Sequence, residues 1–193
     1  MGLLVIISSP SGGGKDVVIN TLLKHLPRSA RLISTTTRPP RPDNKEGVDY
    51  FFITRDEFER RIAADEFLEY NIYANNYYGT PRAYLEKMLA SYDIVLSQIE
   101  VNGKHNLDKL NIKNLSIFML PDDINNLRKR IAKRGGITPE VMEHRLEIAQ
   151  KEIAASVDYD YRIVNVEGKL PETIDKIEKI ILKRLEETSI LDN

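Results

Sequence analysis

Cysteine is absent from all 193 residues, which excludes disulfides, thiolate metal sites and a cysteine nucleophile and leaves the redox compartment open. An excess of one charge is also missing: 28 Lys plus Arg stand against 29 Asp plus Glu, a formal net charge of −1. No global field recruits nucleic acid or an anionic membrane, so any phosphate chemistry must rest on locally placed cations. Long apolar runs are missing too. No stretch approaches the ~20 residues that span a bilayer, and Met1-Gly2-Leu3-Leu4-Val5-Ile6-Ile7 lacks the basic flank, length and cleavage site of a signal peptide. The expectation is a soluble, cytoplasmic protein with neither nucleic-acid nor membrane partner. The three histidines, His25, His105 and His144, show no metal spacing and read as surface or capping residues.

What is present is a rhythm. Four apolar, β-branched runs, Leu3 to Ile7, Ile94 to Leu96, Leu115 to Leu120 and Arg162 to Val166, read as buried strands. Helical spacing covers Val17 to Leu26, Arg82 to Ala90, Ile124 to Arg134, Pro139 to Ala155 and Leu170 to Glu187. Strands alternating with helices of this length imply parallel crossovers, hence an α/β fold with a parallel sheet covered by helices on both faces. Ser34 to Thr80 breaks the rhythm with a Pro-rich opening, the cluster Tyr50-Phe51-Phe52 and a helix that Thr54 and Glu57 start as a capping box. It reads as an inserted subdomain. A second interruption, Arg128 to Arg145, is rich in Arg and Lys and carries Gly135-Gly136, a hinge for a mobile flap. One domain results, with core 1–33, 81–123 and 146–193, a subdomain at 34–80 and a lid at 124–145.

After the first strand comes Ser8-Ser9-Pro10-Ser11-Gly12-Gly13-Gly14-Lys15-Asp16-Val17, leading into a helix. Strand, glycine-rich turn, Lys and helix are the context of a P-loop: backbone N–H groups turn inward around phosphate oxygens, the helix N-terminus adds partial positive charge, and Lys15 supplies a point charge. The run Ser9 to Val17 is therefore the candidate ATP-binding segment. It departs from the usual motif, because Ser9 replaces the first Gly and Asp16, followed by Val17, replaces the hydroxyl residue that helps hold Mg²⁺. Asp16 can still reach the metal, directly or through water, since Mg²⁺ favours oxygen ligands and keeps much of its water shell.

Ser34-Thr35-Thr36-Thr37-Arg38-Pro39-Pro40-Arg41-Pro42 sets two guanidinium groups three residues apart in a proline-stiffened segment. With about three residues per turn in an extended proline helix, both project to one side and converge on one phosphate. Gly47-Val48-Asp49-Tyr50, Glu66-Phe67-Leu68-Glu69, Asn76-Tyr77-Tyr78-Gly79-Thr80, Gln98-Ile99-Glu100-Val101-Asn102-Gly103, Arg130 to Gly135, Arg145-Leu146 and Ile163-Val164-Asn165 follow in order. Together they resemble the guanylate kinases, P-loop nucleoside monophosphate kinases, across nearly the whole chain.

The resemblance implies that Arg38, Arg41, Tyr50 and Tyr78 hold the phosphate of GMP, that Ser34, Glu69, Thr80 and Glu100 surround the guanine, and that 124–145 is a lid. It further implies that Arg130, Arg134 and Arg145 approach the ATP phosphates, Arg145 also serving GMP, and that Asn165 lies near the adenine. Lys15, Arg38, Arg134 and Arg145 are the implied catalytic cations. Physical chemistry agrees at Glu69, because a carboxylate accepts from both N1–H and the 2-amino group of guanine and adenine offers no such pair. Gln98 stands where many members carry the first Asp of an Asp-x-Asp pair, leaving Glu100 as a carboxylate that reaches Mg²⁺ through water.

The implied reaction moves the γ-phosphate of MgATP to GMP, in purine nucleotide metabolism, with dGMP a further acceptor. GMP binding is expected to draw 34–80 toward the P-loop and exclude water. Two other readings stand beside it: a guanylate-kinase-like binding module that recognises GMP or phosphopeptides, and a small-molecule kinase of the ribose bisphosphate kinase type. Monomer and homodimer are both compatible.

Overall fold

The structure, a computed structural model, describes residues 2–73, 75–132 and 138–191. The elements run β1 (Leu3–Ser8), α1 (Lys15–His25), β2 (Ser29–Arg31), β3 (Thr35–Thr36), β4 (Phe51–Phe52), α2 (Arg55–Ala63), β5 (Phe67–Tyr73), β6 (Asn76–Pro81) and α3 (Arg82–Ser91). They continue with β7 (Ile94–Ser97), α4 (Val101–Lys109), β8 (Leu115–Pro121), α5 (Ile124–Ala132), α6 (Pro139–Ala155), a 3-10 turn at Ser156–Asp158, β9 (Tyr161–Asn165) and α7 (Leu170–Leu191). One sheet has strand order β2-β7-β1-β8-β9 and the other β4-β3-β6-β5. In the first, β1 with β8, β2 with β7 and β8 with β9 are parallel. The parallel α/β expectation is met, and the continuous burial of β1, β7 and the first five residues of β8 is what a strand covered on both faces requires.

The chain divides into two compact units. The first holds Met1–Leu4, Arg28–Ser97 and Asn102–Lys113. Its four-stranded sheet pairs β3 with β4 in parallel and β6 antiparallel to both β3 and β5. Phe58 of α2 is fully buried and stacks on Phe67 (centroids 4.2 Å apart) and on Tyr77 (4.9 Å), so one aromatic ring fastens α2 to strands β5 and β6. Tyr77 thus belongs to packing, with its hydroxyl donating to Glu59 at 3.2 Å.

The second unit holds Val5–Pro27, Gln98–Val101 and Asn114–Asn193. Val18, Ile19 and Leu22 are the buried face of α1. Leu127 and Ile131 of α5 pack with Met142, Leu146 and Ala149 of α6, and Val101, Phe118 and Tyr159 form a second cluster. Ile174, Ile177 and Ile181 give α7 its core face at helical spacing.

The sequence expectations fall short in three places. Nine strands replace the expected four among the described residues, because β2 to β6 are short, half polar or aromatic rather than apolar runs. Helix α4 was unforeseen, its Gly103 and Asn residues being weak helix formers. Only half of the capping box forms: Thr54 accepts from the Glu57 N–H at 3.2 Å, whereas the Glu57 carboxylate turns to Arg60, with two bonds of 2.8 Å. Lys133, Arg134 and the Gly135-Gly136 hinge lie outside the described residues.

Candidate active site

The second unit carries the phosphate loop. Between β1 and α1 the chain turns through Gly12 at φ 88° and Gly14 at φ 90°, left-handed conformations in which a side chain is strained. Gly13 is demanded by space: a Cβ there would stand 2.6 Å from Ser9 Cβ and 3.0 Å from the Pro10 carbonyl oxygen. Ser9, the departure from the motif, therefore fits against the glycine it faces, and the Gly13 N–H closes the turn on the Pro10 carbonyl at 2.9 Å. Lys15 Nζ donates to the Ser9 carbonyl at 2.8 Å, folding the ammonium back over the loop. Ser11 is half-buried, while Asp16 and Val17 are exposed on the first turn of α1.

Behind the loop, Ser8 Oγ donates to the Ile99 carbonyl at 2.5 Å and accepts from Tyr159 at 2.8 Å, which fixes the strand end on the segment that carries Glu100. Asn165, at the end of β9, donates to the Gly13 carbonyl at 3.2 Å and accepts from Thr173 at 3.1 Å. Burial pushes the Glu100 carboxyl above its usual range, against a smaller downward pull from Lys15. Glu152 of α6 is pushed up to about 7, first by burial, with Lys15 opposing and Glu100 reinforcing the shift. Sequence reasoning missed Glu152; its four-residue spacing from the half-buried Ile148 gives no sign of charge, and only the fold brings α6, Glu100 and Lys15 into one electrostatic group. A divalent cation suits this donor set: Mg²⁺ with a nucleotide needs one or two carboxylates, and a cation would relieve the buried negative charge at Glu100.

Of the arginines on α5 and α6, Arg145 is half-buried, Arg130 pairs with Glu167 at 2.9 Å through Nε, and Arg128 with Glu143 at 2.5 Å. Arg134 lies outside the described residues.

The first unit gathers the acceptor candidates. Arg38 donates to Asn44 Oδ1 at 2.7 Å and to the Pro39 carbonyl at 2.9 Å, and its guanidinium lies 5.6 Å from the Tyr50 ring centroid and 5.8 Å from that of Phe52. Tyr50 meets Tyr78 edge-on at 5.8 Å. The exposed Arg41 is held through its backbone, whose N–H donates to the same Asn44 Oδ1 at 3.1 Å while its carbonyl accepts from Asn44 N–H at 2.9 Å. Asn44 thus organises both arginines, a role the sequence reading missed; its position four residues before Val48, within a polar turn, was the available sign.

Glu69 is buried on β5 and accepts from Thr80 Oγ1 at 2.6 Å, its register partner on β6. A register shift between Phe67 and Glu69 lets three consecutive side chains, Phe67, Leu68 and Glu69, be buried together. Ser34 is half-buried, with its carbonyl accepting from Phe51 N–H at 2.9 Å. Among the described residues no group of three or more His, Asp or Glu side chains is arranged to hold a metal. No described helix is long and apolar enough to cross a membrane.

Known proteins resemble this chain. The family model described as guanylate kinase matches residues 1–184. A guanylate kinase of Latilactobacillus sakei is 41% identical over 181 residues, covering 93% of this chain and 88% of that protein. One of Mycoplasmoides gallisepticum is 42% identical over 183 residues, covering 94% and 93%. The crystal structure of guanylate kinase from Anaplasma phagocytophilum superposes with a TM-score of 0.76 at 31% identity, covering 95% of this chain and 86% of that one. A shikimate kinase of Bacteroides thetaiotaomicron, at TM-score 0.53 and 12% identity over 93% of this chain and 98% of its own, shares the fold alone. With a strand-to-helix phosphate loop in one unit, a buried carboxylate and two tethered arginines in the other, and relatives at this identity over nearly its full length, the chain belongs to the guanylate kinase family.

Proposed function

We propose that this chain transfers the γ-phosphoryl group of ATP to GMP, forming ADP and GDP, with the first unit taking GMP and the second ATP. The observation that carries the reading is the buried Glu69 carboxylate, which accepts from Thr80 on β6 and is of the group type that can accept from both the N1–H and the 2-amino donors of guanine. Arg38 and Arg41, tethered by Asn44, with Tyr50 and Tyr78, take the phosphate of GMP; Ser34 and Thr80 complete the base site within that unit. The glycine loop from Ser9 to Val17 cradles the ATP phosphates, and Arg130 and Asn165 flank the donor.

The attacking phosphate oxygen is already anionic, so no general base is required. Rate enhancement comes from alignment and from cations around equatorial oxygens, supplied by Lys15, Arg38, Arg134 and Arg145. Lys15 would leave the Ser9 carbonyl for the β- and γ-phosphates, exchanging a neutral acceptor for charged ones. Asp16, and Glu100 through water, would hold Mg²⁺, which would supply compensating positive charge to the polyphosphate. The proposed reaction belongs to purine nucleotide metabolism, and the cytoplasm is the setting we infer for it.

The test is a coupled ADP-release assay with MgATP and each of GMP, dGMP, AMP, CMP and UMP, beside a calorimetric titration of GMP. ADP release that depends on GMP and on Mg²⁺, and that disappears in Lys15→Met, is the expected result. GMP binding without ADP release would overturn the kinase reading in favour of a binding module, and it would trace the loss to Asp16, Val17 and Gln98.

A further inference from the structure

The register of the small sheet in the first unit sorts its side chains between two faces. One face turns to α2: Phe58 meets Tyr70 edge-on and stacks on Tyr77, and a Cβ on Gly79 would stand 2.9 Å from the Phe58 ring. Side chains alternate along a strand, so the opposite face carries Glu69 and Asn71 of β5 with Tyr78 and Thr80 of β6. Glu69 stands opposite Thr80, Asn71 opposite Tyr78, and Tyr78 opposite Thr36 of β3.

On this second face Glu69 accepts from Thr80, Thr36 donates to the Tyr77 carbonyl at 2.8 Å, and Tyr78 packs against Tyr50. Asn71 differs. It is half-buried, and its side chain enters no hydrogen bond or ion pair among the described residues. Strand formation does not explain an Asn here, because the residue is disfavoured in strands. Its amide carries two N–H donors and an acceptor oxygen, and half removed from water these groups suit a ligand on that face.

The position names the part of the ligand. Asn71 follows Glu69 by two residues, about 7 Å along the strand, and lies across from Tyr78. With the base at Glu69 and the phosphate at Tyr78, the portion of a nucleotide that joins them is the sugar, whose hydroxyls donate and accept as the amide does. We propose that Asn71 is a specificity-determining residue that hydrogen-bonds a ribose hydroxyl of the acceptor, ranking GMP above the deoxy nucleotide that lacks it. The proposal rests on the reading of the first unit as the GMP site.

The experiment titrates GMP, dGMP and 3′-deoxyguanosine 5′-monophosphate by calorimetry into the full chain and into its Asn71→Ala and Asn71→Val variants. The unmodified chain is expected to bind GMP about three- to tenfold more tightly than one of the two deoxy nucleotides, the worth of one hydrogen bond, and the weaker of the two identifies the hydroxyl. In both variants GMP affinity falls to that level, the weaker deoxy nucleotide is unaffected, and the ligand-free melting temperature is kept. Val is the stronger strand former, so its variant separates loss of the amide from loss of the strand. An unmodified chain that binds all three nucleotides alike would overturn the proposal. So would variants that bind GMP as before, or that lose all three ligands equally. An unmodified chain that binds none of the three would overturn the reading of this unit as the acceptor site, and the inference with it.

Discussion

In the proposed GMP site the selectivity of Glu69 would come from burial. A solvated carboxylate would lose little on meeting the wrong base, whereas this one, buried on β5 and bonded to Thr80, would meet in adenine a base without the N1–H and 2-amino donor pair of guanine. Glu69→Gln should lower kcat/KM for GMP by about 10²–10⁴ while MgADP binding is retained, which competition assays with GMP and AMP would measure. Glu152 offers a second test, at a titrating group faced by Lys15 and Glu100. Its carboxyl is raised to about 7, above an ordinary value of about 4.3, so the folded chain holds a proton that the unfolded chain has lost. Stability falls as pH rises between those values, and the full cost is present above the higher one. Glu152→Gln should therefore stabilise the protein at pH 8 by about 1–3 kcal/mol, a gain that melting curves should show vanishing toward pH 4. The burial of Glu69 and the shared Asn44 anchor of the arginine pair come from the fold, whereas the sequence offers these residues as candidates through the order of the neighbouring motifs. Glu152 was not legible there, since its environment is assembled from three segments far apart in the chain.

The phosphate loop is an element whose sequence is constrained by contact as much as by backbone freedom. Gly13→Ala places its methyl carbon against Ser9 and the Pro10 carbonyl, and the loop can accept it only by moving backbone. Loss of MgADP binding with GMP binding intact is expected, and Ser9→Gly in the same chain should restore part of it by removing the closest contact. Helix α2 depends on its Thr54 cap, and Thr54→Ala should cost about 1 kcal/mol, lowering the melting temperature by about 2–4 °C. At this scale the legible elements were those with long apolar or periodic patterns: β1, β7, β8 and α6 lie close to where the sequence puts them. The small sheet escaped because Thr35–Thr36 and Phe51–Phe52 are too short to show a period, and the partners of Thr35–Thr36, on β4 and on β6, lie far along the chain at Phe51–Phe52 and Tyr78–Gly79.

For the whole molecule, the near-zero net charge means that nucleotide affinity comes from placed groups rather than from a field, and each unit should answer to its own ligand. GMP at one hundred times its dissociation constant should add about 2.7 kcal/mol of stability, and Lys15→Met should keep this gain while losing turnover; melting temperature against GMP concentration measures it. Asn165 carries a less obvious consequence. Its amide donates to Gly13 and accepts from Thr173, and further along α7 Glu178 meets His25 of α1 at 2.9 Å. Helix α7 is therefore a brace for the glycine loop: with ATP bound there as proposed, trimming or tethering α7 would be felt as altered ATP affinity at a loop more than 150 residues earlier in the chain.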